Sequence, residues 1–274
     1  MPEADVSAAL DAIAAAEPLV NAVTNNVTVN DVANITLHWG GLPVMSDDER
    51  EVADMIAAAD GCLLNMGTVD EAGEATMLTA GRATNDRNLP LVVDPVGVGA
   101  TPTRTRIATR LMEELDVTIL KGNHAEISAL AGEDAEVRGV ESIGEYSDVA
   151  SAASACAHAY DTVAVASGET DIVASTDAVY EISAGDAMMG RVVGTGCMLG
   201  VTLATFAAGL GVESPADAAL SGTLAFGLAG ERAATDGEYT GPASYRIAFL
   251  DAVAGMGGSP PESTAGRIER VRQA

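Results

Sequence analysis

Short apolar runs at 19–23, 62–64, 89–93, 117–120, 163–166 and 172–174 punctuate the chain. Between them lie alanine-rich or amphipathic stretches at 8–16, 27–38, 51–59, 71–82, 104–115, 125–131 and 149–160, with apolar positions at helical spacing. Brief runs without polar alternation suit strands buried on both faces, and strands separated by helices suit parallel pairing. The pattern predicts an α/β fold with a largely parallel central sheet and helices on both faces. A further short strand is expected at 41–45, ending at Met45.

Late in the chain the pattern changes. A hairpin is expected at 172–174 and 178–182, turning on Ser175, Thr176 and Asp177. Past residue 195 the reading is nearly all helical, at 197–210, 215–234 and 242–253. No linker and no internal repeat interrupts it, so residues 1–274 read as a single domain. The end, 255–274, opens on glycines, a serine and two prolines and reads as a loop and weakly ordered tail.

Composition narrows the functional classes. A net charge of −26 argues against nucleic-acid binding, because phosphate backbones would be repelled. The carboxylates are dispersed through a chain that is 48% hydrophobic, which suits a folded acidic surface better than a disordered tail. With Lys121 as the single lysine beside thirteen arginines, the composition resembles that of proteins from extreme halophiles. No apolar stretch reaches the ~18 residues of a membrane span, and the N-terminus has no basic region of a signal peptide. A cytoplasmic protein that engages no membrane is the expectation. Cys62, Cys156 and Cys197 are far apart and form no CxxC pair, so neither a zinc site nor a disulfide framework is expected. Cys62 and Cys156 read as small core residues. His38, His124 and His158 show no catalytic or metal spacing and read as structural or surface residues.

Four segments carry candidate chemistry. Gly194-Thr195-Gly196-Cys197 leads into an apolar helix, so its amides face outward at a positive helix end. That end attracts anions and favours a thiolate. Asp94, in Val93-Asp94-Pro95-Val96-Gly97, ends a buried strand where ligands collect in open α/β sheets; it also suits a charged residue before a turn. In Lys121-Gly122-Asn123-His124-Ala125-Glu126, Asn123 and Glu126 have capping-box spacing, while Glu126 is also placed to approach magnesium through water. In the segment from Thr24 to Asn34, Asn25 stands at a strand-to-helix junction, and Asn26, Asn30 and Asn34 share a face that suits solvent. Met45 suits either the core or an apolar ligand. No P-loop, GxSxG elbow or HExxH motif is present, and the GxGxxxG spacing at Gly194, which follows no early strand, is a weak dinucleotide fingerprint.

In combination and order, VTNNVTVNDVAN, GLPVMSDDEREV, LLNMGT, VVDPVGVGAT, ILKGNHAEI and VVGTGCMLG resemble the hydroxyethylthiazole kinase family of the ribokinase-like superfamily, over roughly residues 10–235. The resemblance implies ATP-dependent phosphorylation of 4-methyl-5-(2-hydroxyethyl)thiazole in thiamine salvage, with Mg2+. It also implies a homotrimer with active sites at subunit interfaces. By position it implies Cys197 as the residue against the substrate hydroxyl, and Gly194, Thr195 and Gly196 as an anion hole. Asn25, Met45, Gly67 and Gly194 would meet the thiazole, Lys121, Asn123 and Ser167 the nucleotide, and Asp94 and Glu126 the metal. Relatives usually carry arginine where Lys121 stands, so the charge is kept and the planar fork is lost. Other small-alcohol or pyrimidine kinases of this fold, and an ATP-dependent hydrate dehydratase, are the alternatives.

Overall fold

The computed structural model describes residues 4–137, 149–259 and 264–273. Among the described residues, nine strands form one sheet in the order β2-β1-β3-β4-β5-β6-β7-β8-β9. The parallel part comprises β2 (Leu42–Val44), β1 (Leu19–Val23), β3 (Gly61–Asn65), β4 (Leu91–Asp94), β5 (Ile119–Asn123) and β6 (Val163–Ser167). The hairpin β7 (Asp171–Ala174) and β8 (Ala178–Ile182) then pairs antiparallel, as the sequence pattern leads one to expect.

Strand side chains alternate between two cores, as the pleat requires. On one face, Val20, Ala22, Leu63, Val92 and Ile119 pack against α1 (Val6–Ala16), α2 (Val29–His38), α8 (Thr195–Leu210), α9 (Pro215–Thr235) and α10 (Pro242–Gly255). On the other, Cys62, Leu64, Leu91, Val93 and Leu120 pack against α3 (Val52–Ile56), α4 (Glu71–Asn85), α5 (Pro102–Glu114), α6 (His124–Val137) and α7 (Val149–Tyr160). Cys62 and Cys156 are fully buried among these residues, and burial pushes the Cys62 thiol up to about 12.

Helix α8 fixes the site. From Met198 to Ala207 every residue is buried, so the helix lies within the first core rather than on the surface. Its hydroxyls return to the helix backbone, Thr202 Oγ1 to Met198 O at 2.8 Å and Thr205 Oγ1 to Val201 O at 2.8 Å. Trp39 Nε1 donates to Thr202 Oγ1 at 2.8 Å. Polar satisfaction therefore holds α8 against α2, and its N-terminus against the carboxyl ends of the strands.

The C-terminal end departs from the expected loop. Residues 268–273 form β9, antiparallel to β8. The sequence shows few apolar residues there because β9 is an edge strand, stabilised by main-chain pairing and by charge. Arg267 grips Glu231 of α9 through two bonds of 2.8 Å each, and Ser183 N donates to Arg267 O at 2.9 Å. Such a strand also covers the open edge of β8. Residues 260–263 and 274 of that end lie outside the described residues.

Candidate active site

Parallel strands bring their carboxyl ends to one rim, and alternation decides which residues face α8. Leu63, Val92 and Ile119 belong to the α8 core, so Asn65, Asp94 and Lys121, two residues on in each strand, face α8 as well. The register pairs Asn65 directly with Asp94. Asn65 Nδ2 donates to Asp94 Oδ2 at 2.7 Å, and Lys121 Nζ lies 3.3 Å from Asp94 Oδ1. All three side chains are almost fully buried. Burial pushes the Asp94 carboxyl from its ordinary 3.8 up to about 6, against the opposing charge of Lys121. Burial pulls the Lys121 ammonium down, but the carboxylates of Asp94 and Glu126 outweigh it and hold the pKa above its ordinary value.

Above this floor sits the glycine loop. Gly194 caps α8 at φ 94, where a side chain would be strained, and a Cβ there would lie 2.6 Å from Thr28 Cγ2. Thr195 Oγ1 fixes the loop by donating to Met189 O and Val192 O, each at 2.8 Å. First-turn amides have no intrahelical acceptor, so this end of α8 is a ready anion cradle. A Cβ at Gly196 would come within 3.2 Å of Lys121 Nζ, and at Gly200 within 3.1 Å of Asp94 Oδ2. The lysine therefore lies beneath the cradle rather than out beside it.

Asn25 joins the two layers. Its Nδ2 donates to Asn65 Oδ1 at 2.8 Å and approaches Cys197 Sγ at 3.4 Å, while its Oδ1 accepts from the amides of Val27 and Thr28 at 3.0 Å each. Gly67 N donates to Asn65 Oδ1 at 3.0 Å, and a Cβ at Gly67 would strike Asn25 Cβ at 2.5 Å. Only a glycine admits the strand-end loop this close to Asn25. Met45 is partly buried against the α8 core, just past β2. The structure thus brings Cys197, Asn25, Gly67, Gly194, Asp94 and Lys121 into one connected network.

Glu126 and Asn123 make the reciprocal capping box that their spacing predicts. Asn123 N donates to Glu126 Oε2 at 2.8 Å, and Glu126 N to Asn123 Oδ1 at 2.9 Å. Glu126 Oε1 accepts Gly97 N at 2.8 Å, tying the loop after β4 to the loop after β5. Both carboxylate oxygens are engaged by amides, and each keeps a further lone pair. Among the described residues no group of three or more His, Cys, Asp and Glu side chains is arranged to hold a metal. Asp94 and Glu126 do fit magnesium, which brings its own waters and substrate phosphates to one or two carboxylates. Ser167 ends β6 and donates to Gly122 O at 3.3 Å, on the same rim as Asn123.

Asn65 is the residue that the sequence reading passed over, although it makes three of the central hydrogen bonds. A period of two from Leu63, together with parallel register to Asp94, is the signal that would have found it.

A family model described as the Hydroxyethylthiazole kinase family matches residues 10–257. A hydroxyethylthiazole kinase from Natronomonas pharaonis is 70% identical over 97% of this chain and 96% of its own. One from Haloquadratum walsbyi is 57% identical over 96% and 92%. Among solved structures, a hydroxyethylthiazole kinase protein from Pyrococcus horikoshii superposes with a TM-score of 0.84 at 31% identity, covering 97% of this chain and 99% of that one.

Proposed function

The chain belongs to the hydroxyethylthiazole kinase family, and on that premise we propose that it transfers the γ-phosphoryl group of ATP to the hydroxyl of 4-methyl-5-(2-hydroxyethyl)thiazole, a step of thiamine salvage. The observation that carries the reading is Cys197 Sγ at the N-terminus of α8, 3.4 Å from Asn25 Nδ2 and above the Asp94–Lys121 pair. An alcohol oxygen between Cys197 and the amides of the glycine loop meets a proton acceptor on one side and an anion cradle on the other.

Phosphoryl transfer through a loose transition state rests on positioning and charge stabilisation. The amides of Gly194 and Gly196 face the transferred group, with the Lys121 ammonium beneath them, while the Thr195 amide, expected in the same anion hole, donates to Val192 O at 3.4 Å. Asn25 orients the Cys197 sulfur, which takes the hydroxyl proton as the phosphoryl group arrives. Asn25, Gly67 and Met45 border the thiazole, and Asn123 and Ser167 border the nucleotide. Asp94 and Glu126 would hold magnesium, which would supply positive charge against the phosphates. Free cysteines support a cytoplasmic setting, and among the described residues no helix is long and apolar enough to cross a membrane. A homotrimer with the site at subunit interfaces follows from the family reading, and the exposed Val27 and Val193 are apolar side chains that such a contact would cover.

The test is to incubate the chain with Mg-ATP and the thiazole alcohol in high salt and detect the monophosphate by mass. Phosphate released without a phosphorylated thiazole would instead point to a hydrate dehydratase. Light scattering of the eluting protein checks the trimer.

A further inference from the structure

Arg104, in the first turn of α5, takes no part in the chemistry above, yet its guanidinium reaches both loops that build the site. Nη1 donates to Met66 O at 2.8 Å and to Val96 O at 2.6 Å, and Nη2 donates to Gly67 O at 2.8 Å. Met66 and Gly67 follow β3 and carry the thiazole side of the site. Val96 follows Asp94 and lies on the phosphate side. The stem lies against Gly97, where an added Cβ would sit 3.0 Å from Arg104 Cδ, at a φ of 79 that favours glycine. Thr101 Oγ1 accepts Arg104 N at 3.2 Å, which fixes the helix end from which the side chain springs.

We infer that Arg104 is a positioning residue that sets the distance between the substrate loop and the phosphate loop. Three carbonyls converge on one planar fork, and that fork is what the arrangement uses. An ammonium supplies a similar charge but cannot point two nitrogens at three carbonyls lying around a plane. On the far side, Glu126 accepts Gly97 N and Asn123 N at 2.8 Å each, so the loop after β4 is gripped from both flanks. The consequence is specific to geometry. Without the fork, Gly67 and Asn25 shift against Asp94, and reacting groups misplaced by about 1 Å lose up to ~10²-fold in rate.

This inference rests on the kinase reading, and the wild-type chain is the control that separates them. A wild type that forms no thiazole monophosphate sinks the reading itself. Given an active wild type, kcat and KM for the thiazole alcohol and for Mg-ATP are measured for Arg104→Ala and Arg104→Lys, well below their melting temperatures. Both variants should lose about tenfold or more in kcat/KM for the thiazole alcohol. Added methylguanidinium should restore part of the Arg104→Ala loss, whereas methylammonium should not. Wild-type kinetics in Arg104→Ala would overturn the inference, as would full activity in Arg104→Lys or a deficit that methylguanidinium leaves untouched. If Arg104→Ala does not fold, the lysine variant decides the matter alone.

Discussion

Replacing Lys121 by methionine removes the buried cation while roughly keeping the volume of its stem. The survivor, Asp94, is fully buried, and its carboxyl is pushed by burial from 3.8 to about 6. A carboxyl whose folded-state pKa is raised binds its proton more tightly in the folded chain. Its ionisation therefore costs nothing below the ordinary pKa, costs more as pH climbs through the interval, and costs its full amount above about 6. At about 1.4 kcal/mol per tenfold in proton affinity, the wild-type cost is ~3 kcal/mol.

Removing Lys121 raises the Asp94 pKa further, but the loss has a ceiling because the carboxyl can take a proton instead. At about pH 7 that ceiling allows on the order of 1 kcal/mol beyond the wild-type cost, growing towards pH 8 and vanishing near pH 5. These losses lie below the ~3–5 kcal/mol of a broken buried pair whose remaining partner stays charged. Urea unfolding at the three pH values, at fixed high salt, measures the difference directly. Raising the salt further should leave it unchanged, since a buried pair is poorly screened. An equal loss at all three pH values would refute the reasoning, because Asp94 would then not be absorbing the change by protonation.

Three further outcomes are expected. Gly194→Val should lower turnover by ~10²-fold or more, because a side chain at φ 94 meets Thr28 and distorts the anion cradle; full activity in steady-state kinetics would mean that the loop does not hold the transferred group. Cys197→Ala should lower kcat by ~10²-fold while Cys197→Asp keeps or raises it, and an alanine variant at wild-type turnover would exclude the thiol as proton acceptor. Glu74, gripped by Arg106 and Arg110, has its pKa lowered to about 2, so its stabilisation is present above the ordinary 4.5 and lost as pH falls towards 2. Since both arginines are largely exposed, Glu74→Gln should cost only about 1 kcal/mol at neutral pH, and melting curves should show that difference shrinking in acid and in high salt.

What was legible in the chain was whatever repeats locally. The run at 19–23 coincides with β1, and the buried runs and helical stretches fall on the strands and helices of a largely parallel sheet. Two things were less legible for physical reasons. A weak helical pattern at 51–59 condenses to five residues, Val52–Ile56, since packing rather than propensity sets its length. The strand Ile268–Gln273 has charged residues where a core strand would have apolar ones, because at an edge the partner backbone supplies the stabilisation. At the site, glycine spacing and strand-end position flagged the Gly194 loop and Asp94. Which face each strand-end residue takes requires the register between strands, and that is why Asn65 escaped notice and the closeness of Lys121 to Gly196 could not be read from the chain.

The placement of Lys121 also bears on how a chain of net charge −26 handles a polyanion. At ~1 M salt the screening length is about 3 Å, so exposed carboxylates hardly register at the site. Attraction must then come from groups in contact with the phosphates or shielded from the salt. The α8 amides, fixed dipoles at a helix end, suit the first requirement on the kinase reading proposed above. Lys121 meets the second, with a side chain 4% exposed and an anchor in Asp94. An arginine out on the rim would be screened along with the rest of the surface. An ammonium beneath the loop is screened far less than one at the surface, and its partner Asp94 is buried with it. The acidity of the surface and the single lysine are thus compatible: one answers to the solvent, and the other works where the solvent does not reach.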